Sequence, residues 1–243
     1  MRRNVFVTGS SRGIGYAIAK EFAMCGDNII LNGKTDQARL DAAVKEIAAA
    51  GGCSVIGLLA DMSDYSQAKA VFDKIKDRFG SCDVLINNAG VAHFGLFTDL
   101  EPQEWDEIIR HNFNTVLNAT HLAVPDMVRG KSGVIINISS IWGNTGASCE
   151  ALYAAAKGAV HTFTKSMAQE LGPSGIRVCA VACGAIETRM NARLSEEERA
   201  EFLDKIPLAR FGKPEEIAAL VKFLASDEAG YLTGQIIGCD GGM

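Results

Sequence analysis

Seven short runs rich in Val, Ile and Leu recur along the chain, and longer amphipathic stretches separate them. The runs span 5–8, 28–31, 54–59, 84–87, 134–138, 177–182 and 235–238. Several are continuously apolar, as strands buried on both faces are. The intervening stretches carry helical periodicity over about 13–25, 36–50, 63–79, 101–127, 150–170 and 214–225, with Pro102 and Pro214 near helix starts, where the missing N–H costs little. This alternation predicts an α/β chain, a doubly wound parallel seven-stranded sheet in a single domain spanning 1–243. Only 184–212 falls out of rhythm. It is polar, carries the charged run Glu196–Arg199, and is expected to be a loop over the binding site.

Composition narrows the class. With 48% hydrophobic residues the chain is not disordered, and no apolar run approaches the roughly 18 residues of a membrane span. A net charge of −5 argues against nucleic acid as the main partner. The opening segment turns polar at Thr8, so no export signal is expected. Seven scattered cysteines then read as reduced thiols in a cytoplasmic protein. Cys179 and Cys183 lack a nearby histidine and read as small core residues rather than metal ligands.

The first strand runs into Thr8-Gly9-Ser10-Ser11-Arg12-Gly13-Ile14-Gly15, where a helix begins. A glycine-rich turn at a helix N-terminus presents N–H groups and about half a positive charge to an anion. At the first strand–helix junction this reads as a dinucleotide pyrophosphate site. Readers of NAD place a carboxylate at the end of the second strand. Here that strand ends Asn32-Gly33-Lys34-Thr35, and the next acid is Asp36. Arg12 and Lys34 flank the corner and would attract a 2′-phosphate, which favours NADP(H). The competing reading makes Lys34 a solvated loop residue and turns Asp36 inward. Asp61-Met62, after the third strand, offers a carboxylate to the adenine amino group. Asn87-Asn88-Ala89-Gly90 closes the fourth strand with small residues that admit a cofactor, although Asn87 can equally tie strands together.

Three tyrosines have lysine four residues on: Tyr16/Lys20, Tyr65/Lys69 and Tyr153/Lys157. Ligands in such sheets bind beyond the carboxyl ends of the strands. Only Tyr153 follows a strand that ends in a hydroxyl pair, Ser139-Ser140. A carbonyl receiving hydride needs a proton, and a lysine one helical turn on shares the tyrosine's face. An ammonium about 4 Å away, at an effective dielectric of about 20, contributes about 4 kcal/mol. That is expected to favour phenolate by up to about 3 pKa units. The Ser140 hydroxyl can hold the substrate oxygen. Asn112, polar within an apolar helical pattern, can bind water or a backbone carbonyl.

Together Thr8–Gly15, Asn87–Gly90, Asn112, Ser140, Tyr153 and Lys157 resemble the short-chain dehydrogenase/reductase family. The resemblance reaches Cys239-Asp240-Gly241-Gly242. It is nearest the 3-oxoacyl-acyl-carrier-protein reductases in Ile206–Gly212, Pro214–Ala218 and Phe223–Ala229. It implies a Rossmann-type homotetramer that uses NADPH. It also implies an Asn112–Ser140–Tyr153–Lys157 tetrad, with Lys157 holding the nicotinamide ribose and Asn112 supporting a water relay. Ile186 and Thr188 would touch the nicotinamide end, and Arg129 and Lys131 an acidic carrier protein. The substrate implied is a 3-oxoacyl thioester; similar proteins also reduce steroids, sugars, quinones and amino ketones. Cys183 replaces the usual proline, which is expected to loosen the start of the substrate loop. Ser174 stands where a second carrier-binding arginine is usual, and Trp142 and Glu150 overlie the substrate site.

Overall fold

The computed structural model describes residues 2–51, 54–189 and 195–243. Seven strands form one sheet: β1 Asn4–Val7, β2 Asn28–Gly33, β3 Val55–Leu59, β4 Val84–Asn87, β5 Gly133–Ser140, β6 Ile176–Cys183 and β7 Ile236–Cys239. Their order is β3-β2-β1-β4-β5-β6-β7, and every pairing is parallel. The helices are α1 Gly13–Met24, α2 Gln37–Gly51, α3 Tyr65–Phe79, α4 Pro102–Ile109, α5 Thr115–Gly130, α6 Trp142–Thr145, α7 Ala151–Leu171, α8 Glu196–Asp204 and α9 Pro214–Leu224.

Alternate side chains of a strand face opposite ways, so a sheet buried on both sides needs two cores. Val5 and Val7 join Ile18, Phe22 and Val221 beneath α1, α2 and α9. Phe6, between them, joins Phe72, Ile75, Met127 and Leu171 beneath α3, α5 and α7. The chain leaves β1 toward β2 on one side of the sheet and returns at β4 on the other. A crevice opens where strand order reverses, at the carboxyl ends of the strands. No helix among the described residues is long and apolar enough to cross a membrane.

Three departures from the sequence reading bear on the site. The helix expected over 101–127 is two helices joined by a π-helical segment, Arg110–Asn114. A single wider turn re-aims the side chains on it, and such turns gather at functional sites. The strands β5 and β6 run on to Ser140 and Cys183, two and one residues beyond the apolar runs. Finally, the 184–212 excursion contains α8, which opens on a Ser195–Glu198 capping box, and its ends meet at an Ile186–Gly212 bridge. Of this excursion, 190–194 lie outside the described residues. Its start is held: Gly184 N–H donates to Cys239 O at 3.1 Å, and Ile141 N–H donates to Cys183 O at 3.1 Å. These main-chain bonds tie Cys183 and Gly184 to the ends of β5 and β7.

Candidate active site

A cavity of about 420 Å³ lies in the crevice. That is within the roughly 300–1,000 Å³ of small-molecule sites. It is lined by Gly9, Arg12, Gly13, Ile14, Lys34, Asp61, Met62, Asn88, Ala89, Gly90, Asn112, Ser140, Tyr153, Lys157, Ile186 and Thr188. Of the residues expected at the site, Ser10, Ser11 and Gly15 do not line it. Ser10 is fully buried and serves the fold, since its Oγ donates to Val7 O at 2.7 Å and accepts from Asn32 N–H at 3.0 Å.

The glycines of the first turn divide by cause. A Cβ on Gly15 would lie 2.4 Å from Asn88 Nδ2, and one on Gly9 would lie 2.9 Å from Ala89 Cα. These two are glycine because the β4 loop packs on them. Gly13 has φ +60°, and a Cβ there would meet only Thr188 Cγ2, at 3.8 Å. Its open side faces the cavity. Arg12 makes no side-chain cap to α1, and the first turn of α1 holds no acid. The N-terminus of α1 therefore faces the cavity uncapped, and Arg12, Lys34 and Lys157 line the walls of that same cavity. Such an arrangement fits the pyrophosphate of a dinucleotide.

At the far corner each cation already has a carboxylate. Arg12 Nη2 is 3.3 Å from Asp36 Oδ2, and Lys34 Nζ is 3.0 Å from Asp61 Oδ2. Asp61 Oδ1 also accepts from Ser63 N–H at 2.9 Å and Ser63 Oγ at 2.6 Å. Burial alone would raise this carboxyl, yet the bonds from Ser63 and Lys34 bring it down to about 2. His111 Nε2 lies 3.1 Å from Lys34 Nζ; burial first, then the lysine charge, lowers its pKa. His111, which from sequence reads as a structural or surface group, and Arg189, to which the sequence gives no role, both line the cavity. Adjacency to Asn112 is the one signal that marks His111.

Thr8 and Asn88 join β1 to β4. Thr8 Oγ1 accepts from the N–H groups of Asn88 at 2.9 Å and Ala89 at 3.0 Å, and Asn88 Nδ2 donates to Thr8 O and Gly9 O, both at 2.9 Å. Beneath them Asn87 Nδ2 donates to Asn137 Oδ1 at 2.9 Å, and Asn137 Nδ2 donates to Thr164 Oγ1 at 2.8 Å. Asn87 is thus a strand-tying residue. The π-helical segment turns Asn112 inward, fully buried. Its Oδ1 accepts from Val91 N–H at 3.1 Å, and its Nδ2 donates to Val91 O and Ile108 O, both at 2.9 Å.

The three tyrosine–lysine pairs separate cleanly. Tyr16 donates to Glu46 Oε2 at 2.8 Å, and Tyr65 is 47% exposed on α3. Only Tyr153 lines the cavity, with its hydroxyl hydrogen-bonded to the Ser140 side chain. Ser140 Oγ also accepts from Trp142 N–H at 3.2 Å. Lys157 is buried, donates to Ile138 O at 3.0 Å, and stands 5.6 Å from the Tyr153 ring centroid. In the free protein the Tyr153 phenol lies above its ordinary value, not below it. Burial pushes the Tyr153 phenol up, against the opposing Ser140 bond, and the Glu150 charge raises it further. Burial also lowers Lys157, to about 8. Dehydration disfavours both ions more than the ring-to-ammonium separation lets them help each other. Cys183 lies at the same wall, its thiol pushed up to about 12 by burial.

Arg129 and Lys131 sit at the C-terminal end of α5, beside the start of β5 and across the sheet from Ser140. Arg129 Nη1 pairs with Asp126 Oδ1 at 2.5 Å, and Lys131 ends the helix with φ 51°.

A family model described as "Enoyl-(Acyl carrier protein) reductase" matches residues 9–243. The chain is 44% identical over 243 residues to the 3-oxoacyl-acyl-carrier-protein reductase FabG of Staphylococcus aureus (strain Mu50), covering all of this chain and 98% of that one. Against the FabG of Thermotoga maritima, identity is 42% over 237 residues, 98% of this chain and 96% of the other. Against the "Uncharacterized oxidoreductase YmfI" of Bacillus subtilis it is 40% over 242 residues, 100% and 99% respectively. With a parallel seven-stranded sheet, an open cavity at its switch point and full-length relatives at this identity, the chain belongs to the short-chain dehydrogenase/reductase family, oxidoreductases that act on the carbonyl/alcohol couple with a nicotinamide cofactor.

Proposed function

We propose that this protein reduces a ketone to a secondary alcohol with NADPH, Tyr153 acting as the acid. The reading is carried by one observation: among three tyrosine–lysine pairs, only Tyr153 lies in the crevice, bonded to Ser140, with a buried Lys157 one turn on. Bound NADPH supplies the hydride. Ser140 holds the carbonyl oxygen, and Tyr153 gives that oxygen its phenolic proton as it gains alkoxide character. The carbon gains the hydride, the oxygen gains the proton, and the phenol is reprotonated from solvent. Lys157 orients the nicotinamide ribose, and a protonated Lys157 beside a growing phenolate lowers the cost of proton release. Asn112 fastens the Gly90–Val91 wall and leaves a lone pair on Oδ1 for a water. Gly9, Gly13, Ile14, Asn88, Ala89, Ile186 and Thr188 shape the dinucleotide cradle, with Asp61 and Met62 at its adenine end.

The choice of NADPH over NADH is supported by Arg12 and Lys34. The first acid after β2 in the chain is Asp36, and it pairs with Arg12, while Asp61, arriving from β3, pairs with Lys34. Exposed pairs of this kind are worth about 0–1 kcal/mol, so a phosphate displaces Asp36 at small cost. The relatives' names favour a 3-oxoacyl thioester, and the family resemblance adds a homotetramer as the working form of the proposal. Arg129 and Lys131 would meet an acidic carrier protein. At the far end of the sheet they serve such a partner only if a neighbouring subunit presents its own crevice there. A second reading, another small ketone, is favoured by the acidic, aromatic wall that Trp142 and Glu150 give the outer pocket. NADPH oxidation measured with acetoacetyl thioesters, steroids and small ketones separates the two. Lack of turnover of any thioester removes the first.

A further inference from the structure

Beyond Tyr153 the crevice opens into a second cavity of about 350 Å³, and Ser140 and Tyr153 line both. Whatever part of a substrate lies outside its carbonyl enters this space. Its walls carry Phe94, Trp142, Phe202 and two carboxylates, Glu150 and Glu198, and no lysine or arginine among the described residues. Glu198 is already used, since its side chain accepts from Ser195 N–H at 2.8 Å in the cap of α8. Glu150 is not. It stands at the N-cap of α7 but makes no capping bond. Its carboxylate turns instead to the Trp142 side chain, and no cation lies within ion-pair distance of it among the described residues.

A half-buried carboxylate with one neutral hydrogen bond is costly. Burial raises its pKa, and its charge makes the neighbouring Tyr153 phenol harder to ionise. A positive charge placed against Glu150 would relieve both effects at once. The aromatic faces of Phe94, Trp142 and Phe202 suit the same guest, because a ring face attracts a cation. The phosphate-bearing arm of an acyl thioester would meet like charge here instead.

We propose that the physiological ketone carries a protonated amine, held by Glu150 among these rings while its carbonyl lies at Ser140 and Tyr153. The proposal rests on the ketone-reductase reading and takes its second substrate class. Glu150 is then a specificity residue that touches the substrate away from the reacting atoms.

Two methyl ketones of equal length test it, one ending in a dimethylammonium group and the other in an isopropyl group. The wild-type enzyme is expected to favour the cationic ketone in kcat/KM by roughly 10- to 100-fold, as for a hydrogen bond to a charged group, chiefly through KM. Glu150→Gln keeps an acceptor for Trp142 but removes the charge, and it should bring the ratio of the two ketones close to unity. No wild-type preference, or a preference that Glu150→Gln retains, overturns the proposal. Calorimetric binding of both ketones to the protein with NADP+ reads the same ratio without turnover. If neither ketone is reduced yet the charge preference in binding follows Glu150, the catalytic reading fails and the recognition stands. Equal binding of the two sinks the recognition itself.

Discussion

Asn112 holds Val91 from both sides, accepting from its N–H at 3.1 Å and donating to its carbonyl at 2.9 Å. The π-helical segment puts a carboxamide, rather than an apolar side chain, opposite the loop that follows β4. Gly90 completes the fit, because a Cβ there would lie 2.8 Å from Asn112 Oδ1 and 3.5 Å from Lys157 Nζ.

Exchanging Asn112 for aspartate tests this fastening. The new oxygen would face the carbonyls of Val91 and Ile108 with no proton to give. Asn112→Asp is expected to lower stability by about 1–3 kcal/mol and to speed amide exchange at Val91. An unchanged denaturant midpoint together with unchanged Val91 protection would show that the loop is held by something else.

Lys157 carries a pH signature. Burial takes it from 10.5 to about 8, so between those values the folded protein binds fewer protons than the unfolded chain. Stability from this group therefore rises with pH through that window, and its penalty is fully present below about 8. Lys157→Met is predicted to stabilise the free protein at neutral pH by about 1–3 kcal/mol, the lost bond to Ile138 O taking back part of the gain. The difference between wild type and variant should shrink as pH climbs toward 10.5 while turnover is lost throughout. Urea midpoints across that range decide it; a difference independent of pH contradicts the assignment.

Arg12 and Lys34 test the choice of cofactor. Replacing both with alanine should weaken NADPH binding by roughly 10²- to 10⁴-fold, because each loses a charged hydrogen bond to phosphate, and leave NADH nearly unaffected. Fluorescence titration with both cofactors reads this. Equal losses would mean that the pair serves the pyrophosphate or the fold instead.

The sheet was legible because both its faces are covered, so several of its strands are written as continuous apolar runs rich in Val, Ile and Leu. Tyr153 was legible because Ser139-Ser140 closes the strand before its helix. The π-helical segment was not, since the apolar rhythm of 101–127 passes straight through it. The Arg12–Asp36 and Lys34–Asp61 pairs join residues 24 and 27 positions apart, and no local spacing announces them. The phenol's upward shift escaped for another reason: spacing gives the neighbour's charge but not the water removed around both groups. The short α8 was hidden because its run of glutamates shows no apolar face.

Proton donation by the Tyr153 hydroxyl is tested most sharply by removing it. Removing that oxygen alone, in Tyr153→Phe, should cut ketone reduction by at least about 10²–10⁴-fold. The dissociation constant for NADPH should change by less than about twofold, because the ring that packs beside Lys157 remains. Turnover persisting near the wild-type rate, with the cofactor still bound, would mean that another group gives the proton.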